Sequence, residues 1–316
     1  MTTSYTNPAA LWKLRTRTLA LGRRTLVMGV VNITPDSFSD GGLFFNLEVA
    51  VGHALQLLDE GADLLDLGAE STRPGSHAGG SPIASAGAAP APAVSAEEEQ
   101  ARLLPVLEGV LKARPQAIVS VDTYKAATAR AALAAGTEII NDVSGFSWDT
   151  GLASVCAQAS CGVVLMHTRG RPDEWAAQAQ LASDALVKTV QSGLQASLDR
   201  ATAAGIAAES IVLDPGYGFG KCGTENFRLL ARQAELLALG RPLLAGLSRK
   251  SFLGQALVSL YAGKPAPVEA RETASLAAMV AAILNGAAVV RVHQVPAAVE
   301  AALVVDAIRA QQLEQA

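Results

Sequence analysis

One unit recurs along the chain: an amphipathic helix, a glycine, one or two residues, then a short β-branched run ending on a polar residue. "LDEGADLLDLG", "LAAGTEIINDVSG", "TAAGIAAESIVLDPG" and "ILNGAAVVRVH" all repeat it. Gly61, Gly136, Gly205 and Gly286 stand where a helix ends on left-handed backbone, which glycine adopts without steric cost. In order, the β-branched runs predict eight strands, at 25–33, 63–68, 117–122, 138–143, 162–167, 211–214, 242–247 and 287–293, each followed by a helical pattern. Runs such as "LVMGVV" and "AIVSV" are apolar on both faces, as strands covered on both sides must be. Eight such βα units predict an α/β fold, the TIM (β/α)8 barrel. The rival, an open doubly wound sheet, usually has fewer strands and a reversal of strand order that this even rhythm lacks.

The whole chain, 1–316, reads as a single domain with a core of about 25–310 and an N-terminal extension. Leu47, Val51, Ala54, Leu55 and Leu58 lie on one stripe of the helix after the first strand, and Ser95 with Glu98 predicts a capping box at the start of the next helix. One segment breaks the rhythm: "GSHAGGSPIASAGAAPAPAV", rich in Gly, Ala, Ser and Pro, predicts a long mobile loop at about 75–95, after the second strand.

Half the residues are apolar and 17% are charged, a composition of a well-buried globular protein. The net charge of −4 gives no electrostatic footprint for nucleic acid. Cys156, Cys161 and Cys222 fit neither a disulfide framework nor a zinc pattern, which points to a reducing cytoplasm. The first residues carry no secretory-signal pattern, and the most apolar stretch, 275–284, is too short for a bilayer, so no membrane partner is expected.

In such barrels the active site lies at the C-terminal ends of the strands. There the strands deliver Asn32, Asp66, Asp122, Asn141, His167 and Asp214, then Ser248-Arg249-Lys250, then Arg291 and His293. A strand-end Asp or Asn is often only a turn former, but so many polar groups on one rim imply a ligand or an ion network. Arg249, Lys250, Arg291 and His293 come from the last two strands and suit an anion, whereas Asp122, Asn141 and Asp214, farther round, suit a flat heterocycle rich in N–H donors. This predicts segregated signs: acceptors on one side of the mouth, cations on the other. "LDPGYGFGKCG" (213–223) is no nucleotide P-loop, because Gly216 and Gly220 enclose three residues and Cys222 follows Lys221.

"VMGVVNITPDSFSDGG" (27–42), "DLGAESTRPG" (66–75), "VSVDTYK" (119–125), "INDVSG" (140–145), "LDPGYGFGK" (213–221), "GLSRKSFLG" (246–254) and "RVH" (291–293) resemble, in order, the signatures of the dihydropteroate synthase family. The resemblance implies that the amine of p-aminobenzoate displaces pyrophosphate from 6-hydroxymethyl-7,8-dihydropterin diphosphate in folate synthesis. It further implies that Asp122, Asn141, Asp214 and Lys250 hold the pterin, with Met166 lining its slot. Asn32 would ligate Mg2+ together with the diphosphate, and Thr72, Arg73, Arg291 and His293 would bind the diphosphate. Phe38, Pro74, Phe219 and Ser248 would form the aminobenzoate pocket, with Arg249 nearby; sulfonamides would compete there. The family is usually dimeric, so a homodimer is expected, and the loops "TPDSFSDGG" and "STRPG" are expected to order with pyrophosphate and Mg2+. His167 is expected to be a structural hydrogen-bond donor, His53 and His77 surface residues, and Cys222 a loop residue. Two readings stay open beside this one: a pterin-binding methyltransferase barrel, which needs no "SRK" and "RVH" cations, and a catalytically silent relative, which the presence of Asn32, Lys250 and Arg291 disfavours.

Overall fold

The computed structural model describes residues 10–33, 43–71, 78 and 94–313. Two short antiparallel strands, β1 (Ala10–Lys13) and β2 (Thr18–Leu21), precede eight parallel ones. These are β3 (Leu26–Asn32), β4 (Leu64–Gly68), β5 (Val119–Asp122), β6 (Ile139–Asp142), β7 (Gly162–Met166), β8 (Ile211–Asp214), β9 (Leu243–Ala245) and β10 (Ala287–Val292). They close in the order β10-β3-β4-β5-β6-β7-β8-β9, the barrel expected from the repeat. Nine α-helices among the described residues interleave with or follow them: α1 (Leu43–Asp59), α2 (Ala96–Ala113), α3 (Ala126–Ala135), α4 (Leu152–Ala159), α5 (Ser183–Ala203), α6 (Glu225–Ala231), α7 (Ser251–Ala256), α8 (Glu272–Leu284) and α9 (Val295–Leu313).

The four punctuating glycines take φ between +87° and +114°, as predicted. Ser95 caps α2 by accepting the Glu98 N–H at 3.1 Å, but the Glu98 carboxylate turns to Arg102 rather than back to the cap, so only half of the expected box forms. Of the apolar stripe on α1, Ala54 is fully buried, while Leu47, Val51 and Leu58 are partly buried against the core.

Two apolar layers follow from strand alternation. Outward residues such as Val27, Leu65, Val121, Ile140, Leu165, Leu213 and Val290 pack under the helices. Met28, Leu64, Ile139, Val164, Val212, Leu244 and Val289 form a second cluster with Trp12, Leu14 and Leu21 of the N-terminal hairpin. The extension therefore closes the barrel floor. Trp12 is fully buried and donates Nε1–H to the Ser210 carbonyl at 3.0 Å, and a side chain at Gly162 would run into Leu14 at 2.7 Å. With the floor filled, the barrel interior opens at the opposite end. The predicted mobile loop at about 75–95 falls, apart from Ala78 and residues 94–95, outside the described residues. No helix among the described residues is long and apolar enough to cross a membrane.

Candidate active site at the barrel mouth

One alternation beyond the apolar floor, the inward residues become polar. Leu64 is followed by Asp66, Ile139 by Asn141, Val212 by Asp214 and Val289 by Arg291. Asp66 is fully buried and accepts three hydrogen bonds: Ser120 Oγ–H at 2.6 Å, Asn141 Nδ2–H at 3.0 Å and Arg291 Nε–H at 2.6 Å. Arg291 also donates through Nη2 to Asp122 at 3.1 Å. The signs are thus not segregated as predicted. A guanidinium on a long stem spans the mouth from β10 to β4 and β5, because an arginine beside buried carboxylates is held by pairing, not by the sector of its own strand.

Burial pushes the Asp122 carboxyl up to about 7, and Asp66, Glu99 and Asp142 push the same way against the pull of Arg291. Asp214 is also raised, first by burial, although the Gly216 N–H donates to its Oδ1 at 2.7 Å and Lys250, Lys221 and Arg291 all favour its charge. Burial alone would lower the Arg291 pKa, but Asp66, Asp122 and Asp214 raise it overall. An acceptor rim with one embedded fork of donors results.

The β8 exit gives "LDPGYGFGK" its role. Gly216 has φ +68°, and a Cβ there would lie 2.0 Å from the His167 carbonyl oxygen, so the turn requires glycine. Lys221 is buried and donates to three carbonyls, of Gly216 at 2.7 Å, His167 at 3.0 Å and Phe219 at 3.1 Å. No phosphate loop forms; the loop's lysine is consumed by its own backbone. Phe219 is presented at the mouth with the Lys250 Nζ 4.0 Å from its ring centroid, and Trp175 meets its ring edge-on at 5.1 Å. Met166 packs with Val143, Tyr124 and Ala78, and Trp148 and Phe219 lean on this cluster. It forms an aromatic and thioether wall beside Asn141 and Asp214, suited to a flat ring.

On the β9 and β10 side, His293 Nδ1 lies 3.0 Å from Ser248 Oγ, so a candidate diphosphate residue touches a candidate aminobenzoate residue. Arg249 follows Ser248 in the same turn. It takes φ +61°, donates its backbone N–H to Ser275 Oγ at 2.9 Å, and places Nε 2.6 Å from Glu272 at the start of α8. Its charge is spent on that helix rather than on the Asp122–Arg291 cluster. Asn32 ends β3 half-buried, paired in register with Gly68. Phe38, Thr72, Arg73, Pro74 and His77 lie outside the described residues, as do, apart from Ser71, the two loops expected to order with pyrophosphate.

His167 is buried, and its Nδ1 has no hydrogen-bond partner among the described residues, so no structural bond from that atom supports the expected role. Burial first, then Lys221 and Arg169, hold its pKa well below the usual histidine value. Cys222 is a half-buried loop residue as expected, its thiol 3.4 Å from the Gln178 carbonyl, and His53 is half-buried rather than a plain surface residue. Sequence reasoning did not single out Ser120, Trp175 or the tethering of Lys221, and it gave Asp66 no role. Only the inward alternation from Leu64 to Asp66 could have signalled that last residue.

Among the described residues no group of three His, Cys, Asp or Glu could hold a metal. The donor set at the mouth suits Mg2+ only in the form it takes with phosphorylated substrates, held by one or two protein oxygens with the remaining positions filled by phosphate and water. Asn32, at the end of β3, carries a side-chain oxygen of that type.

The family model described as "Pterin binding enzyme" matches residues 28–293. The dihydropteroate synthase of Mycobacterium leprae is 42% identical over 89% of this chain and 92% of its own. A solved Xanthomonas albilineans dihydropteroate synthase with 4-aminobenzoic acid superposes with a TM-score of 0.81 at 39% identity, over 96% of this chain and 99% of its own. The Yersinia pestis enzyme, solved with a sulfonamide drug complex, gives 0.80 at 38% identity over 95% and 99%. A barrel mouth with these carboxylates and this arginine, and sequence agreement over nine-tenths of the chain, place the protein in the pterin-binding enzymes as a member of the dihydropteroate synthase family.

Proposed function

We propose that this chain condenses p-aminobenzoate with 6-hydroxymethyl-7,8-dihydropterin diphosphate to give 7,8-dihydropteroate and pyrophosphate. The observation that carries the reading is the single cluster in which Arg291 meets Asp122 directly and Asn141 through Asp66. Donor-rich ring and departing anion would thus be served at one mouth. Asp122, Asn141 and Asp214 accept from or orient the ring, Met166 lines its face, and Lys250 adds a cation above Phe219. Arg291 and His293, with Thr72 and Arg73, receive the diphosphate. Ser248 and Phe219, with Phe38 and Pro74, hold the aminobenzoate. Arg249 is no contact in this reading, but a brace that fixes the "SRK" turn to α8.

The chemistry needs little from the protein beyond charge placed in advance. An electron-rich dihydropterin stabilises positive charge on its exocyclic methylene, so the C–O bond breaks before the aniline attacks. Ionised Asp122 and Asp214 favour that transient cation, and Arg291 favours the pyrophosphate leaving from it. Mg2+ held through Asn32 and the diphosphate would supply further charge neutralisation on the leaving group. The arylamine is already neutral at pH 7, so no general base is required, and no nucleophile–base pair such as Ser-His or Cys-His is needed.

The cysteine usage supports cytoplasmic residence as part of this reading, and the outward face of α8 and α9 supports a homodimer. There Ala277, Leu284, Leu303, Val304 and Ile308 are exposed on adjacent helices, Leu303 by 64% and Val304 by 61%. Apolar area of that kind is usually covered by a partner. The test of the activity mixes both substrates with Mg2+ and follows pyrophosphate. Release that depends on both substrates and is inhibited by a sulfonamide competitively with p-aminobenzoate is expected; no release would refute the reading.

A further inference from the structure

Among the described residues, Asp66 is the one carboxylate that bonds both Asn141 and Arg291. Its Oδ2 takes Asn141 Nδ2–H at 3.0 Å and Arg291 Nε–H at 2.6 Å, while its Oδ1 takes Ser120 Oγ–H at 2.6 Å. It is fully buried, two residues beyond Leu64 of the apolar floor, where a hydrocarbon side chain would have been the cheaper filling. We propose that Asp66 is a positioning residue that couples the ring subsite to the diphosphate subsite by fixing Arg291 and Asn141 through one carboxylate. The inference rests on the reading of the mouth given above.

The geometry says how. By occupying Nε, Asp66 sets the plane of the guanidinium and leaves the Nη edge directed at Asp122 and the mouth. A diphosphate that takes this edge releases Asp122 to accept from the ring, while the Nε tether stays in place. A ring that engages Asn141 and Asp122 frees the same edge for phosphate. Each ligand thereby prepares the site for the other, and such coupling is reciprocal.

The charged groups facing Asp122 are Asp66 from β4, Arg291 from β10, Glu99 from α2 and Asp142 from β6. Asp66 is the strongest like-charged neighbour, so removing its charge eases ionisation of Asp122. A role in packing alone would not move that ionisation.

Asp66→Asn keeps the shape and removes the charge. Inorganic pyrophosphate with Mg2+, titrated calorimetrically, is expected to bind about 10- to 100-fold more weakly than to the wild type, the usual cost of losing a residue that orients a ligand-binding one. The acid limb of kcat/KM is expected to move to lower pH. Unchanged pyrophosphate affinity, or weaker affinity with the acid limb unmoved, would overturn the coupling role. If Asp66→Asn does not fold, Ser120→Ala decides: it removes only the Oδ1 donor, and pyrophosphate affinity equal to wild type would overturn the proposal while a roughly 3- to 10-fold loss would support it. Wild-type protein that neither binds pyrophosphate nor turns over sinks the reading of the site itself. Wild type that does both, beside variants that match it, sinks only the coupling.

Discussion

Replacing Lys221 by methionine removes an ammonium group while keeping the length of the stem. The His167 carbonyl loses its Lys221 bond at 3.0 Å; Gly216 keeps the Phe219 N–H at 3.1 Å, and Phe219 keeps a long contact from Arg169 at 3.5 Å. One orphaned buried carbonyl costs about 1–3 kcal/mol, and two weakened ones add to it. Sparing the burial of an ammonium offsets part of the loss. The net expectation is a destabilisation of about 2–4 kcal/mol, which at roughly 2 °C per kcal/mol for a large domain lowers the Tm by about 4–8 °C. The same loop carries Asp214 and Phe219, so KM for p-aminobenzoate should rise together with the loss of Tm. Scanning calorimetry and steady-state kinetics on one preparation measure both. A Tm within a degree of wild type with an unchanged KM would refute the claim that this lysine holds the loop.

Asp122 should trade stability for function. Its folded pKa of about 7 lies above the 3.8 of the free side chain, so the ionised carboxylate costs stability, and the cost is relieved as pH falls through about 7. Asp122→Asn should therefore raise the Tm at pH 8 and abolish turnover, whereas wild-type kcat/KM should fall as pH drops below about 7; a variant less stable than wild type at pH 8 would contradict the sign. Gly216→Ala should leave little folded protein, since its Cβ would meet a backbone oxygen at 2.0 Å, while Gly205→Ala, with φ +87° but open space around it, should cost only about 1 kcal/mol by urea denaturation. Trp12→Ala should cost about 3–5 kcal/mol and leave kcat/KM of the folded fraction near wild type, because the hairpin fills the floor and not the mouth.

Strand positions were legible to within two residues because every strand is an apolar run covered on both faces, and β4, β6, β8 and β10 are announced a second time by the helix-ending glycines Gly61, Gly136, Gly205 and Gly286. The identity of the rim was legible for a similar reason: closing a barrel forces every strand end to one circle. Pairing was not. Arg291 belongs by sequence to the cationic sector of β9 and β10, and only the reach of its side chain brings it to Asp66 and Asp122. Asp66 looks in sequence like any other strand-end acid; its three donors come from β5, β6 and β10, at separations that periodicity does not encode. The N-terminal hairpin was missed because its four-residue strands are too short to show a period, and its meaning lies in the floor that Trp12 fills. Trp175 hides in a polar stretch before α5 and becomes part of the site only through its edge contact with Phe219.

In the proposed reaction, charge placed in advance at the mouth breaks the pterin C–O bond without help from the amine. Positional isotope exchange measures this directly, using pterin diphosphate with 18O in the bridging position, enzyme and Mg2+, and no p-aminobenzoate. The label is expected to migrate from the bridge to the non-bridging oxygens of the same phosphate as the cation and pyrophosphate form and recombine. Label that stays in the bridge, in an enzyme that turns over normally once p-aminobenzoate is added, would contradict it.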